Sequence, residues 1–312
     1  MQNNNLLEKE SKIKTIIKWL GTLLTLFLFF YLLQKQNWET ITATFQLLSL
    51  KTVIAVWCLI IVRIITNSFR WQILLRIAEI KIPFFDSLKL VFLGMFISNF
   101  LPSTIGGDGI RFLALTKFEK DKSLALSSII FDRLVNVVAM LSLLPVTLFV
   151  YYENSLFVYD LKVIEALFFT GLSDKFNSWK ISGRNWINKN KFWLQHPKAL
   201  LSSISVSWIG LFIYFFGIWL IARNLGMSIK YYQVMGISVF AYLVTLLPIS
   251  INGYGLREVT ITTLYTFLGY PIEAAISLAV ITRLIYLSTT LIGAFWLPEN
   301  LSYLGKKIPE IA

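Results

Sequence analysis

Leu101-Pro102-Ser103-Thr104-Ile105-Gly106-Gly107-Asp108-Gly109-Ile110-Arg111 has a counterpart later in the chain, Leu247-Pro248-Ile249-Ser250-Ile251-Asn252-Gly253-Tyr254-Gly255-Leu256-Arg257. Both read L-P-x4-G-x-G-[IL]-R, and each follows a short apolar run, Ser87 to Leu101 and Val234 to Leu247. Proline removes a backbone donor and glycine permits positive φ, so each stretch predicts a broken helix. Upstream, Arg76 matches Arg223, and Ile82-Pro83-Phe84-Phe85 matches Ile229-Lys230-Tyr231-Tyr232. Downstream, Ala125-x-Ser127-x5-Arg133 matches Ala275-x-Ser277-x5-Arg283 after a short insertion. Residues 52–149 therefore pair with residues 200–297. Paired apolar segments interrupted by Gly and Pro in two halves are the best sequence pointer to a transporter-type binding site.

Composition says what surrounds these segments. Hydrophobic residues are 56% of 312, charged residues 15%, aromatic residues 15%, and the mean hydropathy is +0.67. Soluble domains are about 45–50% apolar and about 25% charged, so most of this chain is solvated by lipid. The expected fold is all-α: a polytopic transmembrane helical bundle, residues 1–312 as one domain, with an internal inverted repeat and broken or re-entrant helices. At about 20 residues per span the length allows roughly six to eight crossings.

Long apolar runs cover Trp19 to Leu33, Thr52 to Phe69, Ser123 to Tyr152, Leu200 to Ala222 and Ala274 to Leu297. The first has no small-residue cleavage site after it and reads as an uncleaved span rather than a signal peptide. Arg70-Trp71-Gln72 to Lys81 reads as a basic cytoplasmic elbow. Residues 175–198 hold six Lys and Arg and no acid, so this loop is placed in the cytoplasm, as is the N-terminus. Its Trp179, Trp186 and Trp193 recur every seven residues, the spacing of a surface helix at the headgroups. These assignments orient the two halves oppositely if residues 156–172, which carry Asp160, Lys162 and Glu165, cross the membrane. The short runs then read as arms of re-entrant hairpins, tips converging inside the protein, where broken backbone is tolerated.

Several function classes drop out. The net charge of +12 belongs to membrane orientation and headgroup attraction rather than to nucleic acid, because no basic face sits on a soluble module. One cysteine, Cys58, and one histidine, His196, give no basis for a zinc site. Walker A, G-x-S-x-G, H-E-x-x-H and dinucleotide fingerprints are lacking, so no catalytic residue and no cofactor is assigned.

Charge inside spans is costly and marks function by default. The candidates for substrate binding are Arg111, Arg257, Asp108, Glu258, Asp132, Arg133 and Arg283, with Asn99 and Asn252 beside the motifs. Arginine in excess of acid suits an anionic ligand, since guanidinium forks bind phosphate in a bidentate manner. Plainer readings stand beside this one. Asp108–Arg111 fits a loop ion pair, Asp132-Arg133 with Arg283 fits structural pairs between helices, and Arg257-Glu258 can satisfy each other across a neighbour. Arg63, inside the second run, is placed as a snorkelling side chain. Trp and Phe elsewhere are read as lipid-facing bulk.

At these residues the chain resembles the transmembrane region of lysylphosphatidylglycerol synthase and its stand-alone flippase-like relatives. The resemblance rests on Asn99-Phe100-Leu101-Pro102 with Gly106-Gly107-Asp108-Gly109-x-Arg111, Asp132-Arg133, His196-Pro197, Leu247-Pro248-Ile249-Ser250 with Gly253-x-Gly255-x-Arg257-Glu258, and Arg283, across about residues 15–298. It implies a bacterial or archaeal cytoplasmic-membrane protein that moves an anionic phospholipid or polyprenyl-linked lipid between leaflets. It also leaves open a transferase acting on a lipid-linked substrate, and a non-catalytic partner of an enzyme of lipid or glycan synthesis. The full synthase transfers lysine with a separate soluble domain, and these 312 residues hold no such domain, so the expectation leans away from an enzyme.

Overall fold

A computed structural model describes residues 39, 43, 46–100, 104–153, 191–246 and 253–299. The first apolar run, residues 156–172 and residues 175–190 lie outside the described residues, as do Pro102, Pro248 and Asn252. The described chain is helical without strands: α1 Leu50–Ile77, α2 Phe84–Ser98, α3 Thr104–Leu115, α4 Lys122–Leu141 and α5 Leu144–Glu153 come first. A single turn Lys191–Leu194 is followed by α6 Pro197–Asn224, α7 Tyr231–Leu246, α8 Leu256–Phe267, α9 Ile272–Thr290 and a 3-10 segment Leu291–Trp296. Among the described residues, four segments are long and apolar enough to cross a membrane: Leu50–Ile77, Lys122–Glu153, Pro197–Asn224 and Ile272–Glu299.

The axis of the bundle is the pair α1 and α6, each of 28 residues or about 42 Å. They run antiparallel. Thr52 at the start of α1 donates to Asn224 at the end of α6 at 2.8 Å, and Arg70 near the end of α1 reaches Ser207 near the start of α6. Small residues let the two backbones approach, as lipid-embedded helices need. A Cβ on Gly210 would stand 2.7 Å from the Thr66 hydroxyl, and one on Gly217 would stand 3.4 Å from Val56. On the opposite sides Ile54, Val62 and Phe69 of α1 and Trp208, Phe212 and Phe216 of α6 are exposed at helical spacing, an apolar surface suited to acyl chains.

Helices α2 and α3, of 15 and 12 residues, reach only about 22 and 18 Å, short of the ~30 Å hydrocarbon core. They fold back on each other. A Cβ on Gly107 would meet the Gly94 carbonyl at 2.1 Å and the Ser98 hydroxyl at 2.0 Å, so only glycine fits there. This corrects the expectation that Gly106 to Gly109 break the helix. They lie inside α3, which begins at Thr104, and the glycine at 107 serves close packing. In the second motif Gly253 and Gly255 do take positive φ, 71° and 75°, immediately before α8. The lengths of α6 to α9, at 28, 16, 12 and 19 residues, follow those of α1 to α4, at 28, 15, 12 and 20.

A second correction concerns Arg70-Trp71-Gln72. These residues do not form an elbow. They continue α1 and are buried, Trp71 completely, and the helix ends at Ala78 with Glu79 at positive φ. A third concerns Trp193, which is fully buried and stacks on Phe131 at 4.6 Å rather than facing headgroups.

Candidate functional site

Two arginine clusters occupy the interior, both touching one face of α1, at Arg70 and at Arg63. These two residues are seven apart, which is two turns or about 10 Å along the axis.

The first cluster is an alternating chain of charge across three helices. Asp132 of α4 is 3% exposed and accepts from Arg70 Nε at 2.8 Å and from Arg111 Nη2 at 3.2 Å. Asp108 of α3 accepts from Arg111 Nη1 at 3.4 Å and from Arg133 Nε. Arg70 also donates to Asn136 at 2.8 Å and to Ser207 at 3.4 Å. Gly94 has no side chain to obstruct the aliphatic stem of Arg111, whose Cγ would stand 2.7 Å from a Cβ there. The Arg111 guanidinium then lies over the Trp71 ring at 4.1 Å. Buried charges survive only when paired with good geometry, and here each carboxylate holds two guanidiniums. The cluster ties α1, α3, α4 and α6 together, and Asp108 and Arg111 are part of it rather than a separate loop pair.

The second cluster is differently balanced. Glu258 at the start of α8 accepts from the Gly255 backbone N–H at 2.9 Å, an acidic cap at a helix N-terminus. It stands 4.0 Å from Arg257 and 3.8 Å from Arg283. Arg257 donates to the Tyr214 hydroxyl at 2.8 Å. Arg63 stacks on the same residue, 3.9 Å from the Tyr214 ring centre, and Arg283 stacks on Tyr254 at 3.9 Å. Arg63 is therefore no snorkelling residue: it stands near the middle of α1 and faces inward. Glu258 Oε1 and Arg283 Nε and Nη2 are buried without hydrogen-bond partners among the described residues.

A cavity of about 90 Å³ opens onto this cluster, lined by Arg63, Tyr214, Ser238, Tyr242, Thr245, Arg257 and Thr282 together with apolar side chains. A water needs about 10–15 Å³ by this measure, so the cavity takes several waters or one phosphate-sized group, not a whole lipid. Asn136 joins the two clusters, accepting from Arg70 and donating to Tyr242, a cavity residue, at 3.2 Å.

The structure thus brings Asp108, Arg111, Asp132 and Arg133 into one cluster and Arg257, Glu258 and Arg283 into another; Arg111 and Arg257 take different partners. Asn99, just after α2, reaches the end of α9 and the start of α8: its amide donates to Thr290 at 2.9 Å and its carbonyl accepts from Tyr254 at 3.3 Å. Sequence reasoning missed Arg70, Asn136 and Tyr214. The matched arginines led to the two motifs, but no pattern singled out a polar residue inside an aromatic or apolar run. No group of three His, Cys, Asp or Glu that could hold a metal occurs among the described residues.

Comparison with known proteins gives one family. The family model described as "Lysylphosphatidylglycerol synthase TM region" matches residues 18–293. No curated protein matches the chain.

Proposed function

We propose that this chain, which belongs to the lysylphosphatidylglycerol synthase transmembrane-region family, carries the headgroup of an anionic lipid across its membrane through the cavity between Arg63 and Arg257. It is a multi-pass membrane protein of a lipid-related family. One observation carries the proposal. Two guanidiniums line a cavity level with the middle of α1 and α6, and Arg63 donates to no hydrogen bond among the described residues. The barrier to lipid exchange is desolvation of the headgroup. Donors already in place replace lost water and favour a phosphate most. The acyl chains remain in bilayer beside the exposed apolar stripes of α1 and α6.

The other carboxylates suit a supporting role. Asp108 and Asp132 each already accept from two guanidiniums, so the first cluster acts as the lock that holds the helices in register. We read residues 52–149 and 200–297 as inverted halves, a reading supported by the antiparallel α1 and α6 and by the recurring order of helix lengths. Such halves let one hairpin open toward each side in turn.

The test is leaflet exchange in vesicles holding the purified protein. A fluorescent anionic phospholipid in the inner leaflet should become accessible to an impermeant quencher faster than in protein-free vesicles, and faster than a phosphatidylcholine analogue. Exchange no faster than in empty vesicles would overturn the reading.

A further inference from the structure

We infer that the cavity at Arg63, Tyr214 and Arg257 is built for a dianionic phosphate monoester rather than for the monoanionic diester of ordinary phospholipids; the inference rests on the headgroup reading above. The argument is charge balance in a site with little water. Arg63 and Arg257 line the cavity, and the one carboxylate of their cluster, Glu258, is shared between Arg257 and Arg283, so three arginines stand with one acid and two positive charges are uncompensated in the cluster among the described residues. Burying unpaired charge is expensive, and a site that keeps two of them needs about that much opposite charge from its ligand.

The first cluster is the internal control. Aligned on the matched arginines, Asp132 corresponds to Thr282 and Asp108 to Tyr254. Where the first cluster spends a carboxylate on Arg133, the second stacks Arg283 on the Tyr254 ring. Where Asp132 clamps Arg70 and Arg111, Thr282 lines the cavity and turns its hydroxyl to the Ala279 carbonyl. The first cluster sets three arginines against two carboxylates; in the second, both of those acid positions hold neutral residues and Glu258 alone stands with three arginines, so the uncompensated charge rises from one to two. Donors agree with the charge. Arg63, which lines the cavity, offers its whole fork, and the Tyr214 hydroxyl, which also lines it and accepts from Arg257, keeps its own proton to donate. A phosphate with three terminal oxygens uses more of these donors than a diester with two.

Full-length protein in phosphatidylcholine nanodiscs tests this with probes that differ by one methyl group. Phosphatidic acid is the monoester; phosphatidylmethanol is its nearest diester. Binding is read by displacement of a fluorescent anionic lipid. The expected result is about tenfold tighter binding of phosphatidic acid. That preference should fall toward parity in Arg63→Gln and in Thr282→Asp, which restores a carboxylate, and should persist in Arg63→Lys. Equal binding of the two lipids, with Arg63→Gln weakening both, would overturn the dianion assignment and leave the headgroup reading standing. Binding of neither lipid would overturn both. Inorganic phosphate competing as well as phosphatidic acid would keep the dianion site and overturn its assignment to a lipid.

Discussion

Asp132 and Arg133 are neighbours in sequence and opposites in consequence. Asp132 is buried between Arg70 and Arg111, whereas the Arg133 side chain is 46% exposed. Removing one partner from a buried pair costs about 3–5 kcal/mol, because the other charges stay behind, but exposed pairs are worth about 0–1 kcal/mol. Asp132→Asn should therefore lower the detergent melting temperature strongly and Arg133→Gln only slightly; equal shifts would contradict the lock assigned to the first cluster. The sequence already pointed to Asp132, Arg111, Arg257 and Glu258 as intramembrane charge. It hid Arg70, because an arginine followed by a basic stretch resembles the end of a span, and its partner Asp132 lies 62 residues away. Tyr214 was hidden in a run of aromatic residues that composition alone assigns to lipid.

Hairpin and helix pair depend on different glycines for different reasons. In α3 a Cβ at Gly107 collides with the Gly94 backbone, while one at Gly109 meets nothing within 4 Å. Gly107→Ala should thus cost about 1–3 kcal/mol through forced backbone movement. Gly109→Ala should gain up to about 1 kcal/mol from helix propensity. Thermal unfolding of the two variants separates close packing from chain flexibility, and a gain at Gly107 would remove the packing argument. At this scale the motif gave the right place and the wrong cause for the first copy: proline and glycine predict a break, yet three glycines lie within helix, and at Gly107 the neighbouring helix needs the missing side chain. In the second copy, positive φ at Gly253 and Gly255 agrees with the simpler reading.

Asn99, just after α2, bonds by side chain to Thr290 of α9 and by backbone to Tyr254 before α8. With the exposed Cys58 replaced by serine, Asn99→Cys paired with Thr290→Cys should be bridged by a short bifunctional thiol reagent. Bridging should slow leaflet exchange if the proposed alternation of the repeat halves carries it, and free exchange after complete bridging would contradict that alternation. The all-helical membrane architecture was legible in composition and in the apolar runs. The partition of the arginines into a cluster with two carboxylates and a cluster with one was not, because it depends on which acids lie beside which arginines in three dimensions. That partition is what the account rests on. The most direct measurement is leaflet exchange of an anionic lipid by Arg63→Gln/Arg257→Gln beside Arg133→Gln, both reconstituted at wild-type density. The cavity variant should lose about tenfold or more of the protein-dependent rate and the Arg133 variant little. Wild-type exchange in the cavity variant would contradict the central claim.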